Sequence, residues 1–170
     1  MDTRTGRQDP TVSVILPYKS TKGQEAIDIY NQTGRTALEW QQLLEYDIMA
    51  VDAEGLWVHQ KFGYSLPRRN GKSEIILARV LWGLNNGEKI LYTAHRTTTT
   101  HSIWERLCKM CEDLNMQAST IRAIGREHIH CETGAVEFRT RTSAGGLGEG
   151  YDLLIIDEAQ EYTPMIKKVV

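Results

Sequence analysis

Ser65-Leu-Pro-Arg-Arg-Asn-Gly-Lys-Ser73 is the stretch on which the reading of the fold turns. Before it, Lys61-Phe-Gly-Tyr-Ser-Leu66 alternates, with Phe62, Tyr64 and Leu66 on one face, as a half-buried strand does. After it, Glu74 to Leu84 is apolar almost all round, which suits a helix set in a core. A strand-to-helix turn ending in Gly-Lys-Ser can form an anion nest, because Gly71 lets the backbone approach phosphates and successive amides converge with the helix N-terminus. Lys72 then reaches the terminal phosphates and the Ser73 hydroxyl ligates Mg²⁺. The usual pattern has a glycine five residues before Gly71, and here Leu66 stands there.

Downstream, Tyr151-Asp-Leu-Leu-Ile-Ile-Asp-Glu158 supplies the second half of the pattern. Leu153 to Ile156 reads as a strand buried on both faces of a parallel sheet. Two carboxylates stand at its C-terminal end, where open α/β sheets place their ligand sites. Asp157 is expected to hold Mg²⁺ through water, and Glu158 to orient and deprotonate an attacking water. A solvated Asp-Glu turn is the bland alternative.

With both motifs in view, the chain resembles the ATPase part of the large terminase subunit of tailed bacteriophages. Pro67-Arg-Arg-Asn-Gly-Lys-Ser73 and Leu154-Ile-Ile-Asp-Glu-Ala-Gln160 carry the resemblance, with support from Leu38-Glu-Trp-Gln41, Thr93-Ala-His95 and Phe138-Arg-Thr-Arg-Thr-Ser143. It spans residues 38 to 162. That family lacks the first glycine and carries an arginine three residues before the Gly-Lys pair, which is Arg68 here.

The resemblance implies a P-loop NTPase-type, mostly parallel sheet flanked by helices. It implies the motor that couples Mg-ATP hydrolysis to movement of double-stranded DNA into a procapsid. The cofactors are then ATP and Mg²⁺, and the site follows residue by residue. Gln41 reads the adenine edge. Arg68, Arg69, Asn70, Gly71, Lys72 and Ser73 surround the phosphates, Ser73 and Asp157 hold the metal, and Glu158 and Arg68 are catalytic. Arg139 and Arg141 are the arginines for a neighbouring subunit's γ-phosphate. Implied partners are the portal protein, the small terminase subunit, other large-subunit copies in a ring and a separately encoded C-terminal nuclease part. The implied location is the host cytoplasm, docked on the procapsid. Two other readings compete: a helicase-like DNA translocase with a similar Asp-Glu-Ala-Gln sequence, and a nucleotide-binding fragment without activity of its own.

Composition bounds these readings without choosing among them. The chain has 170 residues, 41% hydrophobic and 25% charged, which describes an ordinary globular protein of one domain's size. A net charge of -2 supplies no global attraction to nucleic acid or anionic membrane, so any polymer contact has to be local. Val12-Ser-Val-Ile-Leu16 is too short for a membrane span or signal core, and no membrane partner is expected.

Residues 1–35 read as a polar opening segment and 36–170 as the ATPase domain, ending soon after the acidic strand with no nuclease part and therefore C-terminally incomplete. Thr36 with Glu39 suggests a capping box before a helix bearing Leu38, Leu43, Leu44 and Ile48. Val51 to Gly55 reads as a turn, and Leu56-Trp-Val58 as the start of a strand. Asn85-Asn-Gly87 stops the loop helix, and Lys89 to Ala94 forms the next strand.

Thr97 to Thr100 cap an amphipathic helix with Ile103, Leu107, Cys111 and Leu114 on one face. Those threonines serve either as caps or as contacts to a nucleic-acid backbone. Glu127 to Glu132 and Ala135 to Arg139 flank Thr133-Gly134 as a hairpin. Thr142 to Gly150, with four glycines in nine residues, either closes over the site or is slack connection. Cys108, Cys111, His128, His130 and Cys131 superficially suggest zinc. Alternation, however, points Cys131 away from both histidines, and an odd cysteine count argues against disulfides.

Overall fold

A computed structural model describes residues 6–123, 126–140 and 150–161. The chain divides into two compact units, one up to Arg79 and one from Val80. Arg141 and most of the glycine-rich stretch, both given roles by the sequence, lie outside the described residues.

In the first unit, strand β1 (Ser20–Thr21) leads into helix α1 (Gly23–Gln32), which lies against helix α2 (Glu39–Ile48). The polar opening segment thus contains a full helix, with Ala26, Ile27 and Tyr30 on one buried face of α1. Gly23 permits this contact: a Cβ there would come within 2.8 Å of the Glu45 backbone. Strand β2 (Ala50–Val51) pairs antiparallel with β1.

The turn after Val51 forms as expected, with the Asp52 carboxylate accepting from the amides of Glu54 and Leu56. The strand expected from Leu56 reduces to one bridge, Val51 with Trp57. Thr36 does not cap α2. Leu38 occupies the N-cap position, and its amide donates to Gln41 Oε1 at 2.8 Å.

The segment Lys61–Leu66 keeps its alternation, with Phe62, Tyr64 and Leu66 half-buried and the residues between exposed, but it forms no strand. Periodicity sets which side chains face inward. A strand also needs a neighbour to take its amides and carbonyls.

Helix α3 (Lys72–Asn85) follows, as its apolar run predicts. Its end is set by Gly87 at φ 84°, with the Glu88 amide reaching back to Gly83 O at 2.9 Å. The second unit holds strands β3 (Lys89–Ala94), β4 (Ala118–Ile121), β5 (His128–Cys131), β6 (Ala135–Thr140) and β7 (Leu153–Ile156), with helix α4 (Thr97–Asp113). Their order in the sheet is β4-β5-β6-β3-β7.

β3 runs parallel to β6 and β7, whereas β5 runs antiparallel to β4 and β6. The sheet is therefore mixed rather than mostly parallel. The cause is the expected hairpin at Thr133-Gly134, extended by β4, which carried no strong sequence signal. A Cβ at Gly134 would meet Leu84 O at 2.7 Å, so this turn lies tight against the end of α3.

α4 covers β3, β5 and β6 with Ile103, Trp104, Leu107, Met110 and Cys111. β7 is the correction of most consequence. Among the described residues it lies at the edge of the sheet with Leu154 and Ile156 exposed, where burial on both faces was expected. Four apolar residues in a row cannot distinguish an edge from a centre.

Candidate functional site

The loop half of the site lies in the first unit. Pro67, Arg68, Arg69 and Asn70 are exposed, while Gly71, Lys72 and Ser73 are half-buried where α3 begins. Two residues adopt the left-handed conformation, Arg69 at φ 66° and Gly71 at φ 81°. The glycine meets two demands at once, since a Cβ at Gly71 would also lie 2.9 Å from Gln41 Nε2.

Asn70 Nδ2 donates to Pro67 O at 3.2 Å, Tyr64 OH to Lys72 O at 3.3 Å, and the Glu74 amide to Gly71 O at 3.0 Å. Gln41 is 6% exposed, and its amide is engaged at both ends, accepting from Leu38 N and donating to Gly71 O at 3.2 Å. It ties α2 to the loop. Tyr30 OH donates to Glu74 Oε2 at 2.7 Å and ties α1 to the first turn of α3. The structure thus gathers Gln41, Gly71, Lys72 and Ser73 around one helix start. The sequence placed Tyr64 on an inward face without giving it a role, and gave Tyr30 none.

The acidic half lies in the second unit. Asp157 is 5% exposed, and each of its oxygens is engaged: Tyr92 OH donates to Oδ2 and the Glu158 amide to Oδ1, both at 2.8 Å. The Asp157 amide donates to Thr93 O at 2.9 Å, and Thr93 Oγ1 to Ile155 O at 3.0 Å.

Tyr92 is fully buried on β3, and a buried phenol finds an acceptor, so the strand pattern contained a hint of this partner. Glu158 sits at φ 54°, a backbone conformation that side-chain-bearing residues seldom adopt and that clusters at functional positions. Arg139 pairs with Glu137 on its own strand, and Arg141 lies outside the described residues.

The donor chemistry suits a magnesium nucleotide. Helix α3 presents its N-terminus to the loop with a glycine cradle, which fits phosphate, and the Ser73 hydroxyl in the first unit and the Asp157 carboxylate in the second are each oxygen donors of the kind a hard cation takes. Nothing in the helices approaches a membrane span: among the described residues none is long and apolar enough to cross one.

These features define an α/β protein whose mixed sheet carries two carboxylates at the end of an edge strand and whose loop helix starts at Gly-Lys-Ser. A family model described as RNA cytidine acetyltransferase NAT10/TcmA, helicase domain, matches residues 67–170, and the chain belongs to that family. No curated protein and no solved structure matches it.

The family match overturns the terminase resemblance and what followed from it: the packaging motor, double-stranded DNA, the portal protein, the small terminase subunit, the ring of large subunits, the separate nuclease part and the procapsid location. The physical reason is that Gly71-Lys72-Ser73 and Leu153 to Glu158 describe how phosphates and a metal are held. They carry no information about the polymer being acted on. The helicase-like reading, placed second at the sequence level, lies nearer to the family's name, although it named DNA.

Proposed function

We propose that this chain is an ATP-driven, helicase-like domain that acts on RNA. The observation that carries the reading is that one family match, to a helicase domain of RNA cytidine acetyltransferases, runs unbroken from the Gly-Lys-Ser loop to the Asp157-Glu158 pair. The match is to the helicase domain by name, and the proposal assigns no acetyl transfer to this chain.

In this reading the fold is of the P-loop type. Gly71 and the neighbouring amides bind phosphates, with Arg69 and Asn70 shaping the exposed turn. Lys72 neutralises the terminal phosphates, Ser73 and Asp157 hold Mg²⁺, and Gln41 fixes the loop against α2 beside the base. Magnesium, when bound, neutralises charge developing on the phosphate oxygens. Tyr92 and the Glu158 amide hold the Asp157 carboxylate in one orientation, so it has no rotamer freedom left to lose on binding. Glu158 orients and deprotonates the attacking water, and Arg68 reaches the γ-phosphate from the exposed turn.

Turnover of ATP by the purified chain, with and without single-stranded RNA, tests the reading. RNA-stimulated hydrolysis is expected, with Glu158→Gln keeping ATP binding while losing turnover, and Lys72→Ala losing affinity as well. Wild-type turnover in Glu158→Gln would remove its assignment. Stimulation by duplex DNA but not by RNA would remove the substrate class.

A further inference from the structure

One face of Gly71 is crowded by three side chains of the first unit. A Cβ at that glycine would lie 2.9 Å from Gln41 Nε2, 3.8 Å from Glu74 Cγ and 3.9 Å from Trp40 Cζ2. Two of the three have their polar ends committed to the protein. Gln41 accepts from Leu38 N and donates to Gly71 O, and Glu74 accepts from Tyr30 OH. Trp40 instead brings a flat, largely apolar ring to the edge of the loop, and it is half-buried, so part of that ring meets solvent.

This changes what the site can do with a base. The expected reader of the adenine edge, Gln41, is 6% exposed, and its amide already bridges α2 to the loop. Turning it toward a ligand would release the carbonyl of Gly71. Leu38, at the N-cap of α2, is 55% exposed and makes no side-chain bond to the helix amides, although that position ordinarily takes a polar residue that does. The start of α2 is therefore an apolar and partly aromatic surface that adjoins the phosphate loop.

We propose that Trp40 is the base platform of this nucleotide site: the purine of a nucleoside triphosphate stacks on its indole, and the site selects by stacking without reading the base edge. The proposal rests on the reading of Gly71 to Ser73 as a phosphate loop.

Stacking on an aromatic side chain strengthens binding without telling one purine from another, because every base has a π-face. Telling adenine from guanine requires donors and acceptors turned toward the ligand. Here the Gln41 amide faces the protein, and the ring beside it has only a surface to offer. Phosphates seated at the start of α3 leave the sugar and base to lie along what adjoins the loop, and Trp40 adjoins it.

Titration calorimetry on the full chain with Mg²⁺ separates the platform from the loop, using ATP, GTP and inorganic tripolyphosphate. The expected result for the unmutated chain is ATP and GTP affinities within about threefold of each other, both about tenfold or more above tripolyphosphate. Trp40→Ala should cost ATP about 10- to 100-fold and tripolyphosphate less than about threefold, and Trp40→Phe should restore most of the ATP affinity. Indole emission gives a second readout, which carries the test should Trp40→Ala fail to fold. Mg-ATP should quench it in the unmutated chain, and Trp40→Phe should remove that quenching.

Equal losses for ATP and tripolyphosphate in Trp40→Ala would make Trp40 a support of the loop and overturn the proposal. So would quenching that persists in Trp40→Phe, or a preference for ATP over GTP of about 100-fold or more, which would mean that an edge is read. Tripolyphosphate binding as tight as ATP would remove the platform and leave the phosphate loop standing. A chain that binds neither would lose both.

Discussion

Glu45 on α2 and Asp157 after β7 are both buried carboxyls, at 1% and 5% exposure, and their surroundings are opposite. Each Asp157 oxygen receives a hydrogen bond from a defined donor. Neither Glu45 oxygen has a hydrogen-bond partner, and the side chain borders a small cavity of about 10 Å³ lined chiefly by Ile27, Tyr30, Gln41, Glu74 and Ile75. Burial pushes the Glu45 carboxyl up to about 8 despite the opposing charge of Arg79, which stacks over Trp57. A carboxyl deprived of water takes one of two forms: it keeps its charge where donors compensate, or it keeps its proton where they do not. Glu45 has the surroundings of the second, while Asp157 has a donor on each oxygen.

The largest test of this contrast is the pH dependence of stability. Because the Glu45 value in the folded chain is raised from 4.5 to about 8, the folded state binds the extra proton in that window. Its contribution is fully present below 4.5 and is lost as pH rises through about 8. The loss is on the order of 4 to 5 kcal/mol. Urea unfolding of wild type and Glu45→Gln at pH 5 and pH 8 measures it, and the variant should lack this part of the slope. An equal slope in both would break the comparison from the Glu45 side.

On the Asp157 side, Asp157→Asn keeps the shape and removes the charge, and ATP turnover should fall by about 10²–10³ with little change in folding. Turnover at the wild-type level would mean that the clamped carboxylate is purely structural. Tyr92→Phe sharpens the comparison further by taking one donor from Asp157, at an expected cost of about 1 to 3 kcal/mol in urea unfolding. A neutral result would show that the phenol adds nothing to the carboxylate's setting. The smallest effect is expected for Gln41→Ala, about 1 kcal/mol, together with weaker ATP binding by titration calorimetry. Unchanged binding would separate the α2 contact from the function of the loop.

Much of the fold was legible because it is written in short-range patterns. The apolar run after Ser73, the stop at Asn85 to Gly87, the strand Lys89–Ala94 and the hairpin around Gly134 all appear where periodicity and turn chemistry put them. Lys61–Leu66 shows the limit of that method. Its side chains alternate in burial as read, but it has no ladder, because a strand is a relation between two segments and alternation describes one. β7 failed differently, since four apolar residues specify a strand without specifying how many neighbours it has. Among the candidate site residues, Gly71, Lys72, Ser73, Asp157 and Glu158 are proposed from their chemistry alone. Tyr92, Tyr64 and Tyr30 could not be, because their value lies in what their hydroxyls reach.

By itself the sequence determined the local grammar: the apolar run of α3 and its stop, the Gly-Lys-Ser turn, the hairpin at Thr133-Gly134, and the even charge balance that leaves polymer contacts to local patches. These follow from side-chain period, backbone freedom and donor chemistry within a few residues. Only the tertiary structure decided that the sheet is mixed and that one buried carboxyl has hydrogen-bond donors while another has none. Those outcomes depend on which distant segments share a neighbourhood, and hydrogen bonding and desolvation act through space rather than along the chain.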